Sequence, residues 1–128
     1  MDVEIISFGY LHGEPPAAHI TLDLRHHFRD PHVSPELRHM NAHDRPVLVA
    51  VLQTPGIKNL MMAVQASVGA FLLGPTNGTV TVAVGCTGGR HRAAVFAEVL
   101  AAELGGVPVT HRDLAKPVVN RDENGDRS

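Results

Sequence analysis

Residues 79–105 read TVTVAVGCTGGRHRAAVFAEVLAAELG, and this stretch decides the fold. TVTVAV carries no charge, so neither of its faces is built for water, as a central strand of a parallel sheet requires. The β-branched run breaks at Gly85 and passes through Cys86, the only cysteine of the chain. A turn with Gly88 and Gly89 follows, carrying Arg90, His91 and Arg92. The alanine-rich remainder predicts a helix from about Arg90 to Leu104, stopped by Gly105 and Gly106. Strand, glycine-rich turn and helix make one unit of an α/β fold.

The alternation continues on both sides. VEIISFGY (3–10) predicts a strand, followed by the loop LHGEPPA, where Gly13, Pro15 and Pro16 exclude regular structure. AHITLDL (18–24) predicts a second strand, with Ile20, Leu22 and Leu24 on one face and Thr21, Asp23 and Arg25 on the other. Asp23 and Arg25 therefore lie together at its C-terminal end. Residues 25–45 predict a proline-punctuated loop, of a length that in compact domains is more often functional than idle. PVLVAVL (46–52) stays ambiguous: its valines favour a strand, while Asp44 and Pro46 resemble a helix start.

In 57–73, Ile57, Leu60, Met61, Val64, Val68, Phe71 and Leu72 fall on one helical stripe, which assigns the methionines to the core. GPTNG (74–78) turns the chain, and VPVTHRDL predicts a last short strand. The expected architecture is a single-domain α/β sandwich with a largely parallel sheet over residues 1–115. A polar, frayed tail is expected over 116–128.

A chain of 128 residues suits one hydrophobic core. It shows no apolar run of bilayer length, no basic-apolar leader at Met1, and a single cysteine that cannot close an internal disulfide. These features together predict a cytoplasmic protein with no membrane partner. A net charge of -2 excludes a strongly basic nucleic-acid binder, so any grip on a polyanion is local. His26, His27, His32, His39 and His43 show no recognised ligand spacing, and neither a metal nor a cofactor is expected.

The turn after residue 85 is where chemistry concentrates. A glycine-rich turn between a buried strand and a helix directs the first, unpaired N–H groups of the helix at one spot, where the helix dipole adds positive charge. Phosphate or sulfate suits such a place, and Arg90, His91 and Arg92 add charged donors. Gly88 and Gly89 let the backbone approach a phosphate closely. The spelling of Cys86 to Arg92 also resembles the phosphate loop of protein tyrosine phosphatases, in which a thiolate attacks phosphorus while the arginine holds the equatorial oxygens. Gly85 and Ala93 stand where those enzymes carry a histidine and a hydroxyl residue. A general acid would have to come from Asp23 or Asp44. No Gly-Lys-Ser/Thr occurs, so a Walker A loop is absent.

SFGYLHGEPP, LDLRHHFRDPHVSPELR, NAHDRPV and VAVGCTGGRHRA, in this order, resemble the C-terminal domain of the RapZ family of RNase adapter proteins, also known as nucleotide-binding YvcJ-like proteins. The resemblance runs from about Ser7 to His111. It implies a domain similar to a phosphofructokinase subdomain that binds an amino-sugar phosphate, glucosamine 6-phosphate. It further implies small RNA and an endoribonuclease as partners. The usual member carries a P-loop kinase-like domain ahead of this one, so a free-standing or excised domain is expected.

Carried over by motif, the implied pocket comprises Cys86 at its floor, Thr87, Gly88, Gly89, Arg90, His91 and Arg92, with His32 from the loop. Asp23 and Arg25 lie beside it, and Ser7 near the end of the first strand. The chain departs from the family at Arg90, where a lysine is usual, at Ala93, where a serine is usual, and at Asn41 and Ala42, where threonine and glycine are usual. The first changes donor geometry and the second removes a hydroxyl. Three functions follow: a non-catalytic regulatory sensor of a phosphorylated metabolite, a cysteine-dependent phosphatase using Cys86 and Arg92, and an RNA-binding adapter. A symmetric homo-oligomer is the expected assembly.

Overall fold

The computed structural model describes residues 2–75 and 78–117. Strands β1 (Val3–Gly9), β2 (Ile20–Asp23), β3 (Val80–Cys86) and β4 (Val109–His111) form one sheet in the order β2-β3-β1-β4. All three pairings are parallel. Helices α1 (Arg45–Leu52), α2 (Ile57–Leu72) and α3 (Arg92–Glu103) complete the α/β domain.

Every residue of β3 is buried, as its uncharged composition requires of a strand paired on both sides. Val82 and Val84 of β3 and Val3 and Ile5 of β1 share one core with Ile57, Met61, Val64 and Val68 of α2 and Phe96 and Leu100 of α3. Val47 and Val51, one turn apart on α1, bury against Val95 of α3, which resolves the ambiguous valine run as a helix. The opposite sheet face holds Phe8, Ala83 and Gly85, and the connection 10–19 crosses it. The Phe8 and Tyr10 rings meet edge-on at 4.8 Å, and the His19 N–H donates to the Thr81 carbonyl at 2.9 Å.

Several expected boundaries move. β3 does not break at Gly85 but runs on to Cys86, because the Gly85 carbonyl accepts from the Leu24 N–H at 2.8 Å. Glycine is needed there for space: a Cβ would stand 2.4 Å from the Phe8 ring. β1 ends at Gly9 and β2 starts at Ile20. The buried stripe of α2 stops at Val68, past which the helix leaves the core, so Phe71 and Leu72 are exposed. Met61 is core as predicted, whereas Met62 is 69% exposed.

α3 starts at Arg92, since His91 takes a non-helical φ of -119 and ψ of -91. It ends at Glu103, one residue short of the expected Leu104, and the predicted stop signals Gly105 and Gly106 follow at positive φ. Lys116 is tied to Asp113 by an ion pair of 2.7 Å, and the rest of the expected tail, 118–128, lies outside the described residues. Among the described residues no single helix is long and apolar enough to cross a membrane.

Candidate functional site

The register places Gly9 beside Cys86 and Asp23 beside Gly85, so the C-terminal ends of β1, β2 and β3 converge where α3 begins. In open α/β sheets this end of the strands is where ligands bind. The turn 86–91 sits there. Cys86 is buried, and its Sγ accepts from the Gly89 N–H at 3.3 Å. Gly89 has a φ of +79, which favours glycine. The turn lies so close to β1 that a Cβ on Gly9 would come within 2.4 Å of the Gly88 carbonyl carbon. No side chain caps the N-terminus of α3, so its first N–H groups are left to the turn and to whatever occupies it.

Among the described residues Arg92 is the largest fully buried side chain. Its Nη1 donates to the carbonyls of Leu24 and Arg25 at 2.8 Å each and of Phe28 at 3.1 Å. Its Nη2 donates to Thr87 Oγ1 at 3.2 Å and pairs with Asp30 Oδ2 at 3.1 Å. The guanidinium thus staples the start of the long loop to the turn. Arg90 does the same further along: it donates to the His39 carbonyl at 2.9 Å and to the Leu114 carbonyl at 3.3 Å. Among the described residues, the buried Nε of Arg90 and of Arg92 have no protein acceptor.

His91 is buried, and its Nε2 lies 2.8 Å from the Met40 carbonyl, a contact that assigns it as the donor. Burial pushes its pKa below the ordinary histidine value, against the opposing pull of the Met40 carbonyl, which favours the cation. The His32 ring, brought over by the loop, is buried with its centroid 6.4 Å from that of His91. Asp30 orders this approach, accepting from the His32 N–H at 2.9 Å.

Asp23 and Arg25 meet as foreseen, in a bidentate pair at the adjacent strand end with a closest contact of 2.7 Å. The Arg25 guanidinium holds the Asp23 carboxyl below its ordinary pKa and stacks over the Tyr10 ring at 3.7 Å. Ser7 is directed elsewhere. Its Oγ lies 2.6 Å from His111 Nδ1, whose Nε2 contacts Glu98 at 3.0 Å, on the helical side of the sheet.

Asp30, Gly9 and Asp113 went unnoticed in the sequence. Asp113 is fully buried and accepts from the Gly9 N–H at 2.7 Å, from Arg112 and from Lys116. Burial pushes its carboxyl up, but Arg112, the Gly9 N–H and Lys116 together outweigh that and bring it down to about 2. Arg112 in turn reaches the carbonyls of Gly9, Gly13 and Glu14.

The sequence model of the family described as RapZ C-terminal domain matches residues 1–115. The chain belongs to the RapZ C-terminal domain family. A nucleotide-binding protein of Thermobifida fusca is 38% identical over 119 residues, covering 88% of this chain and 40% of its own length. One from Limosilactobacillus reuteri is 35% identical over 121 residues, covering 89% and 41%. The chain spans about two-fifths of the length of these relatives. In this RapZ C-terminal domain the strand ends, the start of α3 and the loop's His32 surround one turn.

Proposed function

We propose that this RapZ C-terminal domain is a non-catalytic regulatory module that binds a phosphorylated metabolite, an amino-sugar phosphate such as glucosamine 6-phosphate, at the turn 86–92 and His32. The observation that carries the reading is the uncapped start of α3 at the C-terminal edge of a parallel sheet, flanked by the His32 and His91 rings. Backbone N–H groups and the helix dipole favour the phosphate, and a buried neutral imidazole suits a sugar hydroxyl or amine. The site chemistry supports a phosphorylated ligand, and the amino-sugar phosphate is what the resemblance to the RapZ family implies; the relatives' printed name attaches to much longer chains.

Binding is favoured over phosphatase chemistry because the guanidinium of Arg92 is committed to protein carbonyls and Asp30. Asp23, held ionised by Arg25, is a poor general acid. Titration calorimetry with glucosamine 6-phosphate should give saturable binding that inorganic phosphate competes for and that His32→Ala weakens with the fold intact. Absence of binding, or an unaffected His32→Ala, refutes the reading. Turnover of p-nitrophenyl phosphate that disappears in Cys86→Ser would restore the phosphatase. The RNA-adapter role implied by the family adds a separate test, a gel shift with small RNA that survives physiological salt.

A further inference from the structure

A groove of about 720 Å³ opens between the loop carrying Arg29 to Leu37 and the exposed side of α1, and none of residues 86–92 lines it. Its floor is apolar, built from Pro31, Leu37, Pro46, Val49 and Ala50. Its charge sits at the rim. Arg29 and Arg45 are exposed, and among the described residues neither guanidinium holds a hydrogen bond or an ion pair. The one carboxylate in the lining, Glu36, accepts from the Ser34 hydroxyl at 2.6 Å, so part of its bonding capacity is already used.

From this arrangement we infer that the groove docks an extended segment of a partner protein in which an apolar side chain lies between carboxylates. Charge complementarity selects acidic flanks, because two unengaged cations face one partly satisfied anion. The apolar floor selects a side chain of leucine size, whose burial is the main source of affinity. A small-molecule site would instead gather buried polar groups around its ligand. Here the one buried hydroxyl at the floor, that of Thr54, is already spent on the Ala50 carbonyl at 2.9 Å. A single nucleic-acid strand would need aromatic platforms for its bases, and the lining contains no aromatic residue. The Gln53 side chain, also at the rim, offers an amide to the main chain of an extended segment.

The test is fluorescence polarisation on the intact protein with three fluorescein-labelled octamers. The first is a peptide with a central leucine flanked by aspartates, the second has serine in place of the leucine, and the third is a uridine oligomer. The leucine peptide should bind saturably, and the serine peptide roughly tenfold more weakly or worse. The double charge reversal Arg29→Glu, Arg45→Glu should also weaken the leucine peptide roughly tenfold. Both positions are exposed, and unchanged circular dichroism and glucosamine 6-phosphate calorimetry identical to the parent's would show that the fold and the other site are unaltered. The inference is overturned by no saturable binding of the leucine peptide, by equal binding of the serine peptide, or by a charge reversal without effect. It is equally overturned if the uridine octamer binds better than the leucine peptide and loses affinity on the same reversal.

Discussion

Replacing Arg92 with methionine separates a structural from a ligand-binding arginine. Methionine keeps most of the aliphatic length and removes the guanidinium. Three carbonyls, the Thr87 hydroxyl and the Asp30 carboxylate then lose the guanidinium at once, although Asp30 still accepts from the His32 N–H. Breaking a buried ion pair by deleting one member costs about 3–5 kcal/mol, and each carbonyl left dry adds about 1–3 kcal/mol before relaxation. The hydrogen bonds to the Arg25 and Phe28 carbonyls are only part-buried, so hydration after the substitution should recover much of their share. The expected net loss is about 4 kcal/mol, a large part of the roughly 5–15 kcal/mol that holds a domain folded. With a urea m-value of about 2 kcal/mol/M, the unfolding midpoint should fall by about 2 M at unchanged slope. Far-UV circular dichroism in a urea series measures it. A fall below about 0.5 M, together with complete loss of phosphate binding, would show that Arg92 serves the ligand and refute the stapling argument.

Other consequences are as specific. Asp113 has a folded pKa of about 2, below the unfolded value, so its stabilisation is complete above about pH 4 and lost as pH falls through about 2. Asp113→Asn should flatten stability over that window and cost on the order of 2 kcal/mol at neutral pH, read from urea midpoints across a pH series. His91 is likewise depressed, so the unfolded chain takes up its proton first and stability declines as pH drops below about 6.5. His91→Gln, which can still donate to the Met40 carbonyl, should lose that decline while Asp113 still acts at lower pH. Gly9→Ala drives a Cβ into the Gly88 backbone and should cost about 1–3 kcal/mol. Gly69→Ala, in a helix with open space around it, should stabilise by about 0.5–1 kcal/mol, and thermal melts of the two variants should move in opposite directions.

The order of elements was legible because local chemistry carries it. The uncharged run 79–84 could only be a doubly flanked strand, Gly105 and Gly106 could end a helix at positive φ, and the α2 stripe kept its period as far as Val68. The residues gathered at the turn were legible for the same reason, since five of them are contiguous with Cys86 and Thr87. PVLVAVL was not decidable, because its β-branched side chains fit either state until Val95 of α3 supplies a surface for Val47 and Val51.

Sequence alone thus determined the α/β class, the parallel sheet and the position of the glycine-rich turn, all set by neighbours within a few residues. What each charged side chain does was decided only by tertiary structure. Arg92 reads as an anion ligand by its spacing from Cys86, yet its acceptors at residues 24–30 lie more than sixty positions away and are brought under α3 by the crossover from β2 to β3. Ser7 reads as a pocket residue by its place in the strand, yet the β1–β4 register hands its hydroxyl to His111. Asp113 shows no local sign of its role, because the Gly9 N–H it accepts from is 104 residues away in the chain. A charge takes its function from its nearest partners in space, and only the folded chain determines which those are.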